Sequence, residues 1–192
     1  MRYILTALLL FITSAVFAQK DIVLVKNEIY KIVYSQNLQQ PIKINYTVLC
    51  NGNGVSRKGM DFYTNDTIKT SDHLDYVGNQ YDKGHMAPAA DFNCTKEMLF
   101  KTFSYLNCAL QDQNLNRGAW KELEEYEREL AKKYKVNIQI ICVFNEKSIK
   151  LKTGATVPNG FYKTIKYEKV IENYYFPNIN PEKKKYSEYK IK

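Results

Sequence analysis

Histidine is scarce in this 192-residue chain, which carries only His73 and His85. Two imidazoles cannot build a site that needs three, so each must be judged singly. His85 lies in the run Tyr81-Asp82-Lys83-Gly84-His85-Met86-Ala87-Pro88-Ala89, at the end of a segment that should be extended. A cation, a glycine and a histidine there suit a phosphate-facing site. Lysine supplies charge, histidine titrates near neutrality, and glycine lets backbone approach a ligand closely. On this segment alone a structural histidine fits equally well. His73 sits in the polar run Thr70-Ser71-Asp72-His73 and is expected to be exposed and non-catalytic.

A second set recurs every fourth residue: Asn116, Trp120, Glu124 and Arg128. On a helix each such step turns the face by only about 40°. Asn116, Glu124 and Arg128 can then share one broad face and reach a common cleft. Glu124 and Arg128 also form an i,i+4 pair of opposite sign, and by itself that is a surface ion pair worth a few tenths of a kcal/mol. Other chemistries find less support. A zinc site from His85, Cys94 and Cys108 matches no metal-binding spacing. No G-x-S-x-G motif announces a serine nucleophile.

The elements that must position these residues follow from periodicity. Segments 22–35 and 41–50 are expected as strands, the second alternating Ile42, Ile44, Tyr46 and Val48 with more polar residues. Residues 51–80, opening on Asn51-Gly52-Asn53-Gly54, form a long polar loop region. Thr95 caps a short helix over 96–103, and 104–110 returns as a strand. A longer helix spans 115–134, with Trp120, Leu123, Leu130 and Tyr134 as its apolar stripe. Strands are expected over 136–144, 161–167 and 170–176, followed by a basic tail containing Lys183-Lys184-Lys185. Strands with helices inserted midway make the class α+β.

Composition bounds the rest. The length allows one domain with a real core. The first segment has Arg2, an apolar run over 3–15 and Val16-Phe17-Ala18 before Gln19, the pattern of a signal peptide cleaved after Ala18. Residues 1–18 are therefore set aside, and 19–192 are expected as a single domain in a secreted or periplasmic protein. The run is shorter than the roughly 20 residues a spanning helix needs, so no stable membrane association is expected. A formal net charge of +8 favours polyanionic partners. Tyrosine is abundant, mostly as half-buried strand residues, with one or two able to stack on a base. Four cysteines after an export signal suggest disulfides, and Cys94–Cys108 with Cys50–Cys142 is the expected pairing because the first two bracket one short helix. Free buried thiols are the alternative.

Taken together, the two chemical segments resemble a known family. The run from Asp82 to Ala89, then Phe92, Met98, Thr102-Phe103, Asn107, Gln111, Asn116, Gly118, Trp120, Leu123-Glu124 and Arg128, is similar to the DNA/RNA non-specific endonucleases of the ββα-metal type. Weaker similarity extends upstream through Tyr46, Phe62, Asp66 and Asp75-Tyr76, and downstream through Val157-Pro158 to Lys163 and Phe176-Pro177-Asn178. The resemblance implies a central, mostly antiparallel sheet flanked by helices. It implies His85 as general base, Asn116 as the one direct protein ligand of Mg²⁺ (with Mn²⁺ as a substitute), and Asn107 as a residue that orders the site. Glu124 is implied to hold water around the ion, and Arg128 to contact phosphate or stabilise the transition state. Lys83 and Arg57 are implied to bind substrate.

The departures are specific. Lys83 replaces the family's usual arginine and loses its planar fork. Arg57 does not align cleanly in its spacing to Phe62. Leu110 replaces a usual proline, and the family's usual final helix is not expected. The implied activity is hydrolysis of DNA and RNA with little sequence preference, leaving 5′-phosphate ends. The rival is a secreted nucleic-acid-binding protein on the same fold without catalysis.

Overall fold

The computed structural model describes residues 21–181 and 185–192. The expected signal peptide over 1–18 lies outside the described residues, as do Lys183 and Lys184.

The expected strand over 22–35 is two strands. β1 (Ile22–Lys26) and β2 (Tyr30–Ser35) are joined by a turn in which the Asn27 Oδ1 accepts from the backbone of Ile29 and Tyr30 at 3.0 and 2.9 Å. A short polar side chain that bonds backbone two residues on is a turn former, and it wins over strand propensity here. β3 (Gln40–Thr47) follows. Next come β4 (Tyr81–His85), α1 (Lys96–Thr102) and β5 (Cys108–Asp112). α2 (Gln113–Leu115), α3 (Lys121–Ala131), β6 (Asn137–Val143), β7 (Gly160–Tyr167) and β8 (Val170–Pro177) complete the main body. The expected basic tail is partly structured: a 3-10 turn, Tyr186–Tyr189, leads to β9 (Lys190–Ile191), which pairs with β8.

The fold is α+β. Seven strands form one antiparallel sheet in the order β1-β2-β3-β6-β7-β8-β9, and β4 with β5 forms a separate two-stranded ribbon. Side chains alternate across each strand. One face of the large sheet buries Ile32, Tyr34, Ile44, Ile138, Ile140, Phe161, Ile165 and Phe176. The ribbon and helices pack there, contributing Met86, Phe92, Leu115, Trp120 and Leu123 to the same core. The fully buried Trp120 ring lies 5.4 Å from both Phe161 and Phe176.

The long helix expected over 115–134 is broken. Asp112 caps its start, accepting from the backbone of Asn114 and Leu115. The chain then widens over Asn116–Trp120, where Gly118 leaves helical geometry, before α3 begins. The expected strand over 104–110 starts later, because a 3-10 turn, Tyr105–Asn107, precedes β5.

The expected disulfide pairing is corrected. Cys50 is bonded to Cys94, with Cα atoms 5.6 Å apart, and Cys108 and Cys142 are free and buried. Backbone contacts decide this: Leu49 and Cys50 both donate to the Asp91 carbonyl, which brings residue 50 beside the segment leading to Cys94. The Cys108 thiol instead donates to the Tyr76 hydroxyl at 3.2 Å, and Cys142 packs on the Met86 sulfur.

Candidate active site

β4 carries His85 at its end, held by the antiparallel pairing His85↔Cys108 and Lys83↔Leu110 across the ribbon. Gly84 has a different use from the one its sequence context suggests. A Cβ there would lie 2.4 Å from the Gln111 Oε1, so the glycine permits close approach of β5 rather than of a ligand. Asn107 is fully buried and staples the turn after His85. Its Oδ1 accepts from the Ala87 backbone at 2.8 Å, and its Nδ2 donates to the carbonyls of Ala87 and Thr102 at 2.9 Å. These bonds fix the backbone that follows His85.

The His85 ring packs on Phe62 at 4.8 Å and edge-on to Phe103 at 5.0 Å. Its Nε2 is buried and has no hydrogen-bond partner among the described residues. Burial, reinforced by the positive charge of Arg57, pushes its pKa down to about 3. The imidazole is therefore neutral across the physiological range.

One open cleft of about 1090 Å³ is lined by His85, Lys83, Arg57, Asn116, Glu124 and Arg128 together. The break at Gly118 does not separate Asn116 from Glu124, because both stay at the cleft wall. The Asn116 amide is clamped: its Nδ2 donates to Asp82 at 2.9 Å. Only the nitrogen end can donate to a carboxylate, so the carbonyl oxygen is left as an acceptor. Asp82 is held in turn by a bidentate contact from Arg117, at 2.8 and 2.7 Å. Arg128 lines the cleft while donating to the fully buried Asp91 at 3.0 Å, so one edge of its guanidinium is already committed. Lys83 lies 3.4 Å from Asp61 and over the rings of Phe62 and Tyr105.

Beneath the cleft lies a buried charge cluster. Lys163 of β7 meets Glu127 of α3 at 2.8 Å, with both side chains fully buried, and the Tyr46 hydroxyl donates to Glu127 at 3.2 Å. Burial raises the Asp91 carboxyl well above the usual range, Glu127 adding to the rise and Arg128 opposing it. Burial likewise raises Glu124 to about 7, against the attraction of Lys163 and with the help of Glu127.

His73 is exposed and does not line the cleft. Among the described residues no group of three or more His, Cys, Asp or Glu side chains is placed to hold a metal. The zinc alternative fails on its ligands, since Cys94 is in a disulfide and Cys108 is buried against Tyr76. The oxygen donors in the cleft include the Asn116 amide and the carboxylates of Glu124 and Asp82, the last already held by Arg117. That oxygen set fits Mg²⁺, which keeps most of its waters and needs few protein ligands. Sequence reasoning missed Asp82 and Asp91. Both stand within or beside the motif, but their partners lie more than thirty residues away in the chain.

A family model described as DNA/RNA non-specific endonuclease matches residues 12–192. Mitochondrial endonuclease G of Bos taurus is 34% identical over 82 residues, covering 41% of this chain and 27% of that protein. A nuclease of Nostoc sp. (strain PCC 7120 / SAG 25.82 / UTEX 2576) is 38% identical over 91 residues, covering 47% of this chain and 33% of its own length. The aligned part is thus a third or less of these relatives. A crystal structure of the EndoG/EndoGI complex, concerned with the mechanism of EndoG inhibition, contains a chain of similar fold. It superposes with a TM-score of 0.77 at 24% identity, over 88% of this chain and 80% of that one.

Proposed function

Because the chain belongs to the DNA/RNA non-specific endonuclease family, we propose that it hydrolyses phosphodiester bonds of DNA and RNA with little sequence preference. The observation that carries this is the neutral, half-buried imidazole of His85 lining the same cleft as the clamped amide of Asn116. A neutral imidazole with no internal partner is free to accept a proton from an attacking water. Its low pKa would make it a weak base in the empty cleft. A bound phosphate opposes that depression, because its charge favours the imidazolium and pairs with Arg57.

Asn116 would hold a divalent ion, Mg²⁺ with Mn²⁺ as a substitute, through its amide oxygen, and Glu124 would accept from water around it. When bound, the ion supplies positive charge that polarises the phosphate and stabilises the departing 3′ oxygen, which leaves the phosphate on the 5′ end. Arg57, Lys83 and Arg128 add fixed positive charge along the cleft wall. Contacts of this kind grip backbone and carry no direct base readout, which accounts for weak sequence preference.

Export is part of the same proposal. The apolar leader supports it, and so does the Cys50–Cys94 disulfide, a bond that oxidising compartments preserve. Supercoiled plasmid and a structured RNA incubated with the protein and Mg²⁺ test the activity. Both should be cut, and excess chelator should stop cutting. Intact nucleic acid bound tightly in the presence of Mg²⁺ would favour the non-catalytic alternative.

A further inference from the structure

The outer face of the large sheet is a second candidate surface. Lys31, Lys43 and Lys166 alternate with the inward-facing Ile32, Ile44 and Ile165, so they project away from the helices and the active-site cleft. The seven strands contain one carboxylate, Glu172, and it is buried on the inner face against Lys190. No carboxylate of these strands therefore shares the outer face with its lysines. Lys31, Lys43, Lys135 and Lys166 make no ion pair among the described residues.

A groove of about 490 Å³ lies at one end of this face, lined by Lys31, Lys135 and Lys166 and by the amides of Asn45, Asn137 and Gln139. Its one carboxylate, Glu28, is engaged by Lys101. Beyond it the register Lys43↔Ile141↔Tyr162↔Tyr175 runs a row across the sheet, with the two tyrosine rings 4.7 Å apart and Tyr162 exposed. Lysines without ion pairs, the amides of Asn45 and Asn137, and the exposed Tyr162 ring backed by the half-buried Tyr175 form a surface suited to phosphates and unstacked bases.

We propose that this face binds the backbone of single-stranded nucleic acid, holding a stretch of polymer that the cleft is not cutting. The occupant rests on the proposed nuclease activity; charge complementarity and the exposed Tyr162 ring favour it independently. The test uses the full chain bearing His85→Ala, in chelator, with a long labelled single-stranded oligonucleotide. Adding Lys31→Gln, Lys43→Gln and Lys166→Gln should weaken binding by about tenfold or more. It should also flatten the dependence of log K on log salt by about 2, because each phosphate that a lysine neutralises contributes ~0.7 to that slope.

The matching Lys→Arg triple should bind as tightly as its parent. With His85 in place, the Gln triple should hydrolyse a small chromogenic phosphodiester at the unmodified rate. Unchanged affinity and salt slope in the Gln triple would overturn the proposal. So would lysine-dependent capture of phosphatidylserine vesicles without an effect on the oligonucleotide. Failure of the unmodified protein to cut either substrate would count against the nuclease activity alone, because the oligonucleotide affinities decide the binding face.

Discussion

His85 is held by stacking and backbone rather than by a polar partner, so removing its side chain should cost chemistry more than stability. His85→Ala is expected to retain the circular dichroism of the parent and to lose at least about 10²-fold in plasmid cutting, the low end for general acid–base catalysis. Near-parental cutting would remove His85 from the mechanism. Asn116→Ala should raise the Mg²⁺ concentration needed for half-maximal rate and lower the maximum as well; superimposable metal titrations would refute its role. Glu124 makes a prediction about pH. Its pKa rises from an ordinary 4.5 to about 7 on folding. Between those values the folded chain keeps a proton that the unfolded chain has released, so stability falls as pH rises through that window. In chelator, denaturation midpoints should decline between about pH 5 and 7, and Glu124→Gln should decline less. Equal slopes would show that Glu124 is not raised. At this scale the sequence was informative. Lys83, Arg57, Asn116, Glu124 and Arg128, the charged and amide side chains expected in the cleft, line it with His85, while Asn107 lies outside the lining and bonds the Ala87 backbone. What stayed hidden were the clamps on Asn116 and Arg128, since neither Asp82 nor Asp91 carries any mark in its neighbours of a distant partner.

Elements set the site through two fastenings. The first is the disulfide, which ties the loop carrying Arg57 to the segment behind Asp91, where Val55 also donates to the Asn93 carbonyl. It closes a loop of 44 residues. Cys50→Ser with Cys94→Ser should destabilise the fold by about 2–4 kcal/mol and raise KM for polynucleotide as Arg57 loses its anchor. A double variant with parental stability and KM would argue that other contacts hold the loop. The second fastening joins α3 to β7 through Glu127 and Lys163. Lys163→Met leaves a buried carboxylate uncompensated, at a cost of about 3–5 kcal/mol, while Lys163→Met with Glu127→Leu should recover much of the loss. Denaturant midpoints that do not recover would point to packing instead. Most elements were legible from period and capping, α1 from Thr95 above all. The turn at Asn27 and the break at Gly118 were not, because the strand pattern resumes after the first and the helical pattern after the second, and local backbone geometry decides. The disulfide was misassigned because bracketing a helix in sequence says nothing about where the bracketing residues point.

The whole molecule is a sheet with two unlike faces. One packs the ribbon, the helices and the cleft, and the other exposes strand lysines that no carboxylate pairs with among the described residues. Among the described residues no helix is long and apolar enough to cross a membrane. On the proposed mechanism His85, from the ribbon, and Asn116, from the start of the helical segment, act on one phosphodiester as a unit. Plasmid-cleavage rates of His85→Ala, Asn116→Ala and the double variant test it most directly. Residues of one catalytic unit lose function non-additively, so the double variant should be about as slow as the slower single. Losses that multiply in the double variant would mean two independent contributions, and would contradict the account.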